Sequence, residues 1–592
     1  VKSSQAAARW LEKFAEALAR GELAGAASLF APESYWRDLV AFTWNIRTCE
    51  GRGEIQAMLA ASLSRVQPSK WTVRGADDDG AWFSFETALG RGIGHLRLRD
   101  GECWTLLTTL QELKGFEEKT GRQREAGVEH GAVQGRKTWL ERRGEAQSQY
   151  ASGEAQPYVL IVGGGQGGIA LAARLKRLGV PALVLEKNAR AGDSWRNRYS
   201  SLCLHDPVWY DHLPYLPFPD HWPVFSPKDK MGDWLEMYAR VMELDYWTGA
   251  TCLGARFDES AHEWSVELYR DRRASTLRPK HLVLATGMSG FPNIPDIKGA
   301  KDFEGKIVHS SEHDGGAAWR GKRCVVLGSN NSAHDIAADL WEQGAAEVTL
   351  VQRSSTVVVT SQSLMEFAWS RLYSEEALER GISTEIADLT VASVPFMVLP
   401  SLQKPLYDAI RKRDAALYDG LQKAGFLFDF GEDGSGIHST YLRRGSGYYI
   451  DVGASQMIID GRIQLRSFAT IERIERRSVL LSDGSELPAD LIVYATGYGS
   501  MNQWAEQLIS KEVADRVGKV WGLGSGTRHD PGPWVGELRN MWKPTQQENL
   551  WFHGGNLMQS RHYSLYLALQ LKARYEGLPT PVYFVDPVHH LR

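Results

Sequence analysis

The chain has little cysteine: five residues in 592, at Cys49, Cys103, Cys203, Cys252 and Cys324, scattered and without a C-x-x-C pair. That distribution excludes a disulfide scaffold, a thiolate zinc site and a redox dithiol, so no metal is expected and a reduced, cytoplasmic protein is. An excess of charge is also missing. The formal net charge is -4, which gives no reason to expect nucleic acid or an anionic membrane as partner. Long apolar runs are absent too: the longest, around 389–402, is too short and proline-broken for a membrane span, and no charged-then-apolar leader opens the sequence. What is present is 43 % hydrophobic residues, ample for real cores, over a length that suggests about three or four domains.

Residues 158–162 form a continuous apolar run without polar alternation, which reads as a central strand of a parallel sheet. It leads into Gly163-Gly164-Gly165-Gln166-Gly167-Gly168, a G-x-G-x-x-G. In that pattern Gly163 turns the chain, Gly165 lets backbone approach a pyrophosphate, and Gly168 lets helix pack on strand. Leu171, Leu175 and Leu178 give the helix an apolar face, and Gly179 stops it. Residues 182–185 make the second strand, and Glu186 at its end can accept both ribose hydroxyls of an adenosine while repelling a 2'-phosphate. The first site is therefore one for FAD or NAD, not NADP. A purely structural glycine turn is the alternative, but it gives no reason for strand, glycines, helix, strand and acid to follow in that order.

A second fingerprint follows the apolar run 323–327, as Gly328-Ser329-Asn330-Asn331-Ser332-Ala333. Gly328 and Ala333 match; Asn330 replaces the second glycine, and asparagine tolerates the positive φ such a turn is expected to need. The partner strand, 348–352, ends in Arg353 instead of an acid. A guanidinium there can take a 2'-phosphate bidentately or stack on adenine, the alternative being an ordinary surface arginine. NADPH is thus expected in the second site and FAD in the first, with NADH left open as a donor. Two more strands end in Ala-Thr-Gly, where Thr286 and Gly287, and Thr496 and Gly497, let the chain pass close to a dinucleotide. Near the C-terminus, Gly554-Gly555-Asn556 precedes a helix over 559–574 and aims free N–H groups at whatever lies beyond.

Ahead of these motifs, Trp10, Phe14 and Leu18 mark an amphipathic helix over 4–20, and a second helix is expected at 53–63. Strand-like pieces follow at 70–74, 81–87 and 94–110, the last with a hairpin at Arg99-Asp100-Gly101. This pattern resembles the cone-shaped fold of nuclear transport factor 2 and the polyketide cyclases, which implies Asp38 or His95 as an acid–base candidate. The plainer expectation is a docking or dimer surface, leaving a homodimer open. Residues 115–154, rich in charge and glycine, read as a surface linker. The fold class expected is α/β, two Rossmann-like dinucleotide-binding domains preceded by an α+β cone-like domain. Its division is 1–120 cone, 121–155 linker, 156–317 FAD domain, 318–500 NADPH domain with a helical insertion at about 354–447, and 501–592 the C-terminal part of the FAD domain.

Gly192-Asp193-Ser194-Trp195-Arg196, Tyr199, His205 and the aromatic–proline tract reaching Phe225 resemble the class B flavin-dependent monooxygenases, which place G-x-x-W next to the flavin and a Pro-rich loop beside the ring. Taken singly, each of those aromatics is more simply a core residue. Phe303-x-Gly305-x-x-x-His309 matches most of the F-x-G-x-x-x-H signature of flavin-containing and Baeyer-Villiger monooxygenases, departing from both at His313-Asp314. The resemblance covers roughly 156–592 and, with the cone in front, is greatest to the type II flavin-containing monooxygenases. It implies flavin contacts from Trp195, Arg196, His205, Gly555 and Asn556, and His309, His313 and Asn331 as candidate catalytic residues. It also implies an oxidoreductase in which NADPH reduces FAD, a C4a-(hydro)peroxyflavin forms with O2, and one oxygen atom passes to a small ketone, sulfide or amine. Enzymes dedicated to ketones place an arginine after the second nucleotide strand. Residues 354–362 contain none, which points to sulfide and amine oxidation. The resemblance to the type II enzymes implies ketone oxidation as well, with cationic or hydrogen-bonding help from NADP+, Arg353, His309 or His313, so both sulfoxidation and lactone formation are expected. The rivals are a flavin-dependent NAD(P)H reductase without oxygen insertion and a binding protein with a structural flavin.

Gly165→Asp is expected to abolish flavin binding, because a side chain and a negative charge enter the pyrophosphate approach. Yellow mutant protein with wild-type flavin content contradicts the assignment.

Overall fold

A computed structural model describes residues 2–76, 80–468 and 470–588. The first parallel sheet has the order Leu550–Phe552, His281–Leu284, Val159–Val162, Ala182–Leu185, Tyr246–Trp247. Every neighbouring pair is parallel. Its three central strands are buried along their whole length, which is why they read as unbroken apolar runs. Helix Gln166–Arg177 covers one face, and the C-terminal helix Leu557–Tyr575 lies against it. That last helix is buried on nearly every side, so its Arg561, His562 and Gln570 must be accommodated inside the protein.

A second parallel sheet repeats the plan, in the order Lys306–His309, Leu491–Tyr494, Arg323–Leu327, Glu347–Gln352, Gln464–Ser467. In each half a three-stranded antiparallel sheet precedes the strand that ends in Ala-Thr-Gly, at 251–277 and at 471–488. Strands Ser289–Pro292 and Tyr498–Ser500 pair with each other and join the two Ala-Thr-Gly segments. The long excursion from the second nucleotide unit is mainly helical, and it is closed at its base where Thr356–Thr360 pairs in parallel with Tyr448–Asp451.

The N-terminal module is a six-stranded sheet, ordered Ile46–Glu50, Phe30–Leu39, Glu102–Leu113, Gly90–Arg99, Ala81–Glu86, Ser69–Ala76, with helices Lys2–Arg20 and Gly51–Val66 packed on it. The Asp100-Gly101 hairpin forms as expected, both residues having positive φ (51° and 85°). Strand Phe30–Leu39 went unread in the sequence because Pro32, Glu33 and Ser34 break its apolar pattern. The interior is filled by Trp10, Phe14, Phe30, Trp36, Phe83 and Phe85, and Asp38 accepts hydrogen bonds from Phe42 N, Thr43 N, Thr43 Oγ1 and Thr108 Oγ1. Asp38 is thereby a satisfied core carboxyl, held up at about 6 by burial against those bonds, and His95 is buried edge-on to Trp82. Within the expected linker a helix forms at Trp139–Ser152, started by a Thr138/Glu141 capping box. Among the described residues no helix is long and apolar enough to cross a membrane.

Candidate active site

Gly163 turns with φ +108°, and a Cβ there would stand 2.3 Å from the Ala285 carbonyl oxygen; on Gly168 it would stand 2.0 Å from that of Gly163. Both glycines are demanded by backbone packing. Gly165 is different: it is extended (φ -75°, ψ -168°), and a Cβ there would meet only Ser194 Oγ at 3.6 Å. The space before helix Gln166–Arg177 is thus open to a ligand. Glu186, 5 % exposed, accepts from the N–H of Gly164 (3.0 Å) and of Asn188 (2.7 Å), so its carboxylate braces the turn.

The C-terminal helix begins at the same place. Gly167 packs on Gly554, whose Cα would lie 3.3 Å from a Cβ on Gly167; Gln166 Nε2 donates to the Gly555 carbonyl (3.4 Å), and Trp195 Nε1 donates to Gln166 Oε1 (3.2 Å). Asn556 and Gln559 form a reciprocal capping box at the start of Leu557–Tyr575. Two helix N-termini therefore abut, each with a positive dipole end. Beside them Gly287, at φ +97°, has nothing within 4 Å of its missing Cβ, and Thr286 Oγ1 is buried without a partner. An open backbone approach, two helix ends and an orphaned hydroxyl fit an anionic dinucleotide bearing a flavin.

Arg196, expected among the flavin contacts, is committed elsewhere. Its guanidinium donates to the carboxylates of Asp193, Asp233 and Glu236 and to the Ala191 carbonyl, which fastens the loop to helix Lys228–Val241. His205 crosses to the second nucleotide unit: Nε2 lies 3.5 Å from Asp335 Oδ2, the oxygen that also accepts from Tyr199 Oη (2.7 Å). Burial works against its protonation, but Asp335 prevails and holds His205 above its ordinary value.

Asp206, the next residue, was not singled out from the sequence. Burial pushes its carboxyl up to about 6; burial and the Asp206 charge raise Asp211 well above its ordinary value, with both Asp211 oxygens buried and unpartnered. Burial first, and charges including Asp206, raise the Tyr210, Tyr441 and Tyr448 phenols above their ordinary value. Tyr441 Oη donates to Gln559 Oε1 (2.7 Å) and accepts from Asn556 N (3.2 Å), while Tyr210 Oη accepts from Asn556 Nδ2 (3.0 Å). Asp206 and Tyr210 fall inside the aromatic–proline tract, where a signal was available. Nothing local ties Tyr441 to Asn556; only the folded insertion brings them together.

In the second unit Gly328 takes the tight turn (φ +136°), with a Cβ position 2.3 Å from the Ala495 carbonyl oxygen. Contrary to the expectation of a positive φ, Asn330 is extended (φ -96°, ψ -171°), so none is required there. What asparagine changes is room, and its Oδ1 accepts from Thr356 Oγ1 (3.4 Å). Asn331 Oδ1 accepts from Ile450 N (2.9 Å), and Ser332 lies in the first turn of helix Asn331–Glu342. Arg353 is exposed at its strand end, near His529, whose imidazole is depressed by burial and then by the charges of Arg444, Arg528 and Arg353. Thr496 Oγ1 donates to the Asn293 carbonyl.

His309 stitches the linker to the second Ala-Thr-Gly: Nε2 donates to the Gly497 carbonyl (3.2 Å) and Nδ1 accepts from Ser311 N (3.2 Å). His313 is buried beside Asp339, partway along the same helix, with Nε2 unpartnered. Burial lowers both imidazoles, which favours their neutral, hydrogen-bonding form; His205 is the raised histidine at the seam.

Residues 157–388 match the pyridine nucleotide-disulphide oxidoreductase family model. The fold is shared with epsilon-caprolactone-bound cyclohexanone monooxygenase, at a TM-score of 0.51 and 16 % identity over 71 % of this chain and 88 % of that one. Among relatives, the probable indole-3-pyruvate monooxygenase YUCCA9 of Arabidopsis thaliana is 30 % identical over 353 residues, 59 % of this chain and 76 % of the relative. Indole-3-pyruvate monooxygenase YUCCA1 of Oryza sativa subsp. japonica is 30 % identical over 371 residues, 61 % of this chain and 82 % of the relative. With that relative spanned over most of its length, and with two nucleotide folds meeting at a seam, the chain belongs to the class B flavin-dependent monooxygenases and is an FAD- and NADPH-dependent enzyme.

Proposed function

We propose that this enzyme oxidises small ketones to esters or lactones, and thioethers or amines to their oxides, at the seam between the two nucleotide units. FAD would be held by Gly163, Gly165, Gly168, Glu186, Trp195, Thr286, Gly287, Gly555 and Asn556, and NADPH by Gly328, Asn330, Ser332, Arg353, Thr496 and Gly497. Reduced by NADPH, the bound flavin supplies the electrons that allow one atom of O2 to enter substrate while the other leaves as water. The chain's own residues do the rest. The abutting helix ends favour negative charge developing beside them. Tyr441, Gln559 and Asn556 fix the cap, and Tyr210, tilted against Trp369 and edge-on to Tyr373, keeps water away.

The observation that carries this reading is the arrangement at the seam, where the Tyr210 and Tyr441 phenols hydrogen-bond the cap of the C-terminal helix and the segment that carries Tyr210 also carries His205, which reaches Asp335 of the second unit, and the raised Asp206 carboxyl. His205 can donate a hydrogen bond where ketone-dedicated enzymes use arginine, and Asp206 can hold or release the proton that each turnover consumes. Neutral donors suit sulfides and amines, and a cationic donor suits ketones. Hence both classes are proposed.

A bicyclic cyclobutanone and a thioether, incubated separately with NADPH and analysed by gas chromatography, should give lactone and sulfoxide. Sulfoxide without lactone at any pH from about 7 to 9 rejects the ketone half. Indole-3-pyruvate, in the relatives' names, belongs in the same panel. The pH profile of product formation should bend near 6, where Asp206 changes from acid to carboxylate as pH rises. Asp206→Asn should remove that bend with the flavin still bound, and an unchanged bend excludes Asp206 as its source. Arg353→Ala should raise the KM for NADPH by roughly tenfold or more, with little change for NADH, the loss of one charge-assisted contact to phosphate. Equal effects on both coenzymes would show that Arg353 does not read the 2'-phosphate.

A further inference from the structure

The N-terminal module contributes buried charge to the catalytic half. Arg37, 1 % exposed on strand Phe30–Leu39, binds Glu537 bidentately (Nε–Oε1 2.7 Å, Nη2–Oε2 2.9 Å) and donates to Tyr563 Oη on the C-terminal helix (3.0 Å). Its remaining nitrogen, Nη1, donates to the carbonyl of Ala392 (2.9 Å). Arg97, from another strand of the same sheet, donates to the Ser393 carbonyl (2.9 Å) and to Ser393 Oγ (2.8 Å). Ala392 and Ser393 are the last residue and C-cap of helix Thr384–Ala392, in the helical excursion of the NADPH unit. Two guanidinium groups thus sit on the negative end of one helix.

That helix carries Asp388 one turn earlier. Asp388 accepts from Arg561 Nε (2.9 Å) and Nη2 (2.8 Å), and Arg561 Nη1 donates to the Tyr210 carbonyl (2.7 Å). Tyr210 in turn accepts from the cap residue Asn556. A continuous set of buried and part-buried polar contacts therefore runs from the N-terminal sheet, through helix Thr384–Ala392, to the N-terminus of the C-terminal helix. Buried ion pairs add little net stability over apolar packing, but they specify one arrangement because a shifted partner leaves a charge unpaired.

We propose that the N-terminal module is a wall of the catalytic unit, with Arg37 and Arg97 as positioning residues that hold helix Thr384–Ala392 against the C-terminal helix and so keep the seam closed to water. This rests on the monooxygenase activity. With the helix loosened, NADPH, a proton and O2 would leave as NADP+ and hydrogen peroxide; with it held, they and the substrate leave as NADP+, water and oxygenated product.

The test uses the full chain with flavin bound. Arg97→Met removes the Ser393 contacts, and the pair Arg37→Met with Glu537→Leu removes the deeper bridge as a neutral set. Amide exchange over 384–397 should quicken roughly tenfold or more in Arg97→Met, which loses two charge-assisted hydrogen bonds to Ser393, with exchange in the 159–162 strand unchanged. Peroxide formed per NADPH consumed should rise several-fold, and Arg97→Lys should restore part of both. Unchanged exchange over 384–397, or quickened exchange with an unchanged peroxide fraction, overturns the proposal. Should the double variant fail to fold, Arg97→Met and Arg97→Lys decide it. Absence of oxygenated product in the wild type as well would be a failure of the monooxygenase reading instead, and the exchange measurement stands apart from that.

Discussion

The contact of Gly167 with Gly554 is the constraint on which the rest depends. A Cβ on Gly167 would stand 3.3 Å from the Gly554 Cα, so the start of one helix packs directly on the backbone that leads into the other. One helix follows the first strand directly, and the other arrives from the far end of the chain after the strand Leu550–Phe552 has joined the sheet edge. Their N-termini would repel in isolation. Abutting them is costly unless negative charge lies between them, which is what a dinucleotide with a reducible ring brings.

Around this junction the protein uses buried charge to fix relative positions. His205 and Tyr199 reach across to Asp335, Arg561 ties the C-terminal helix to Asp388, and Arg37 ties the N-terminal sheet to Glu537. Each partner comes from a different part of the chain. Such pairs gain little over hydrophobic packing, yet they penalise any slip in register, and an oxygen-transferring cavity needs register because a misplaced wall admits water.

What could be read from the sequence was what is local. Strand runs, the two glycine turns, the Ala-Thr-Gly ends and the Asp100-Gly101 hairpin depend on neighbours in the chain, and the structure has them where the residues put them. The Trp139–Ser152 helix was equally local, announced by Thr138 and Glu141, but a charged, glycine-rich composition concealed it. Arg196 and Asn330 show the limit of motif reading. The guanidinium beside the G-x-x-W is engaged by Asp233 and Glu236 from a later helix, and the asparagine is extended, since room and not φ governs that position. Tyr441 and Arg37 could not be ranked without the fold, because their partners lie more than a hundred residues away.

Oxygen insertion is the central claim, and isotope labelling tests it most directly. Under 18O2 with NADPH and a thioether or strained ketone, the product should carry one labelled oxygen atom and the water the other, with NADPH consumed in step. NADPH consumption with all the label in hydrogen peroxide or water, and none in organic product, would contradict it and leave a flavin-dependent reductase or oxidase on the same fold.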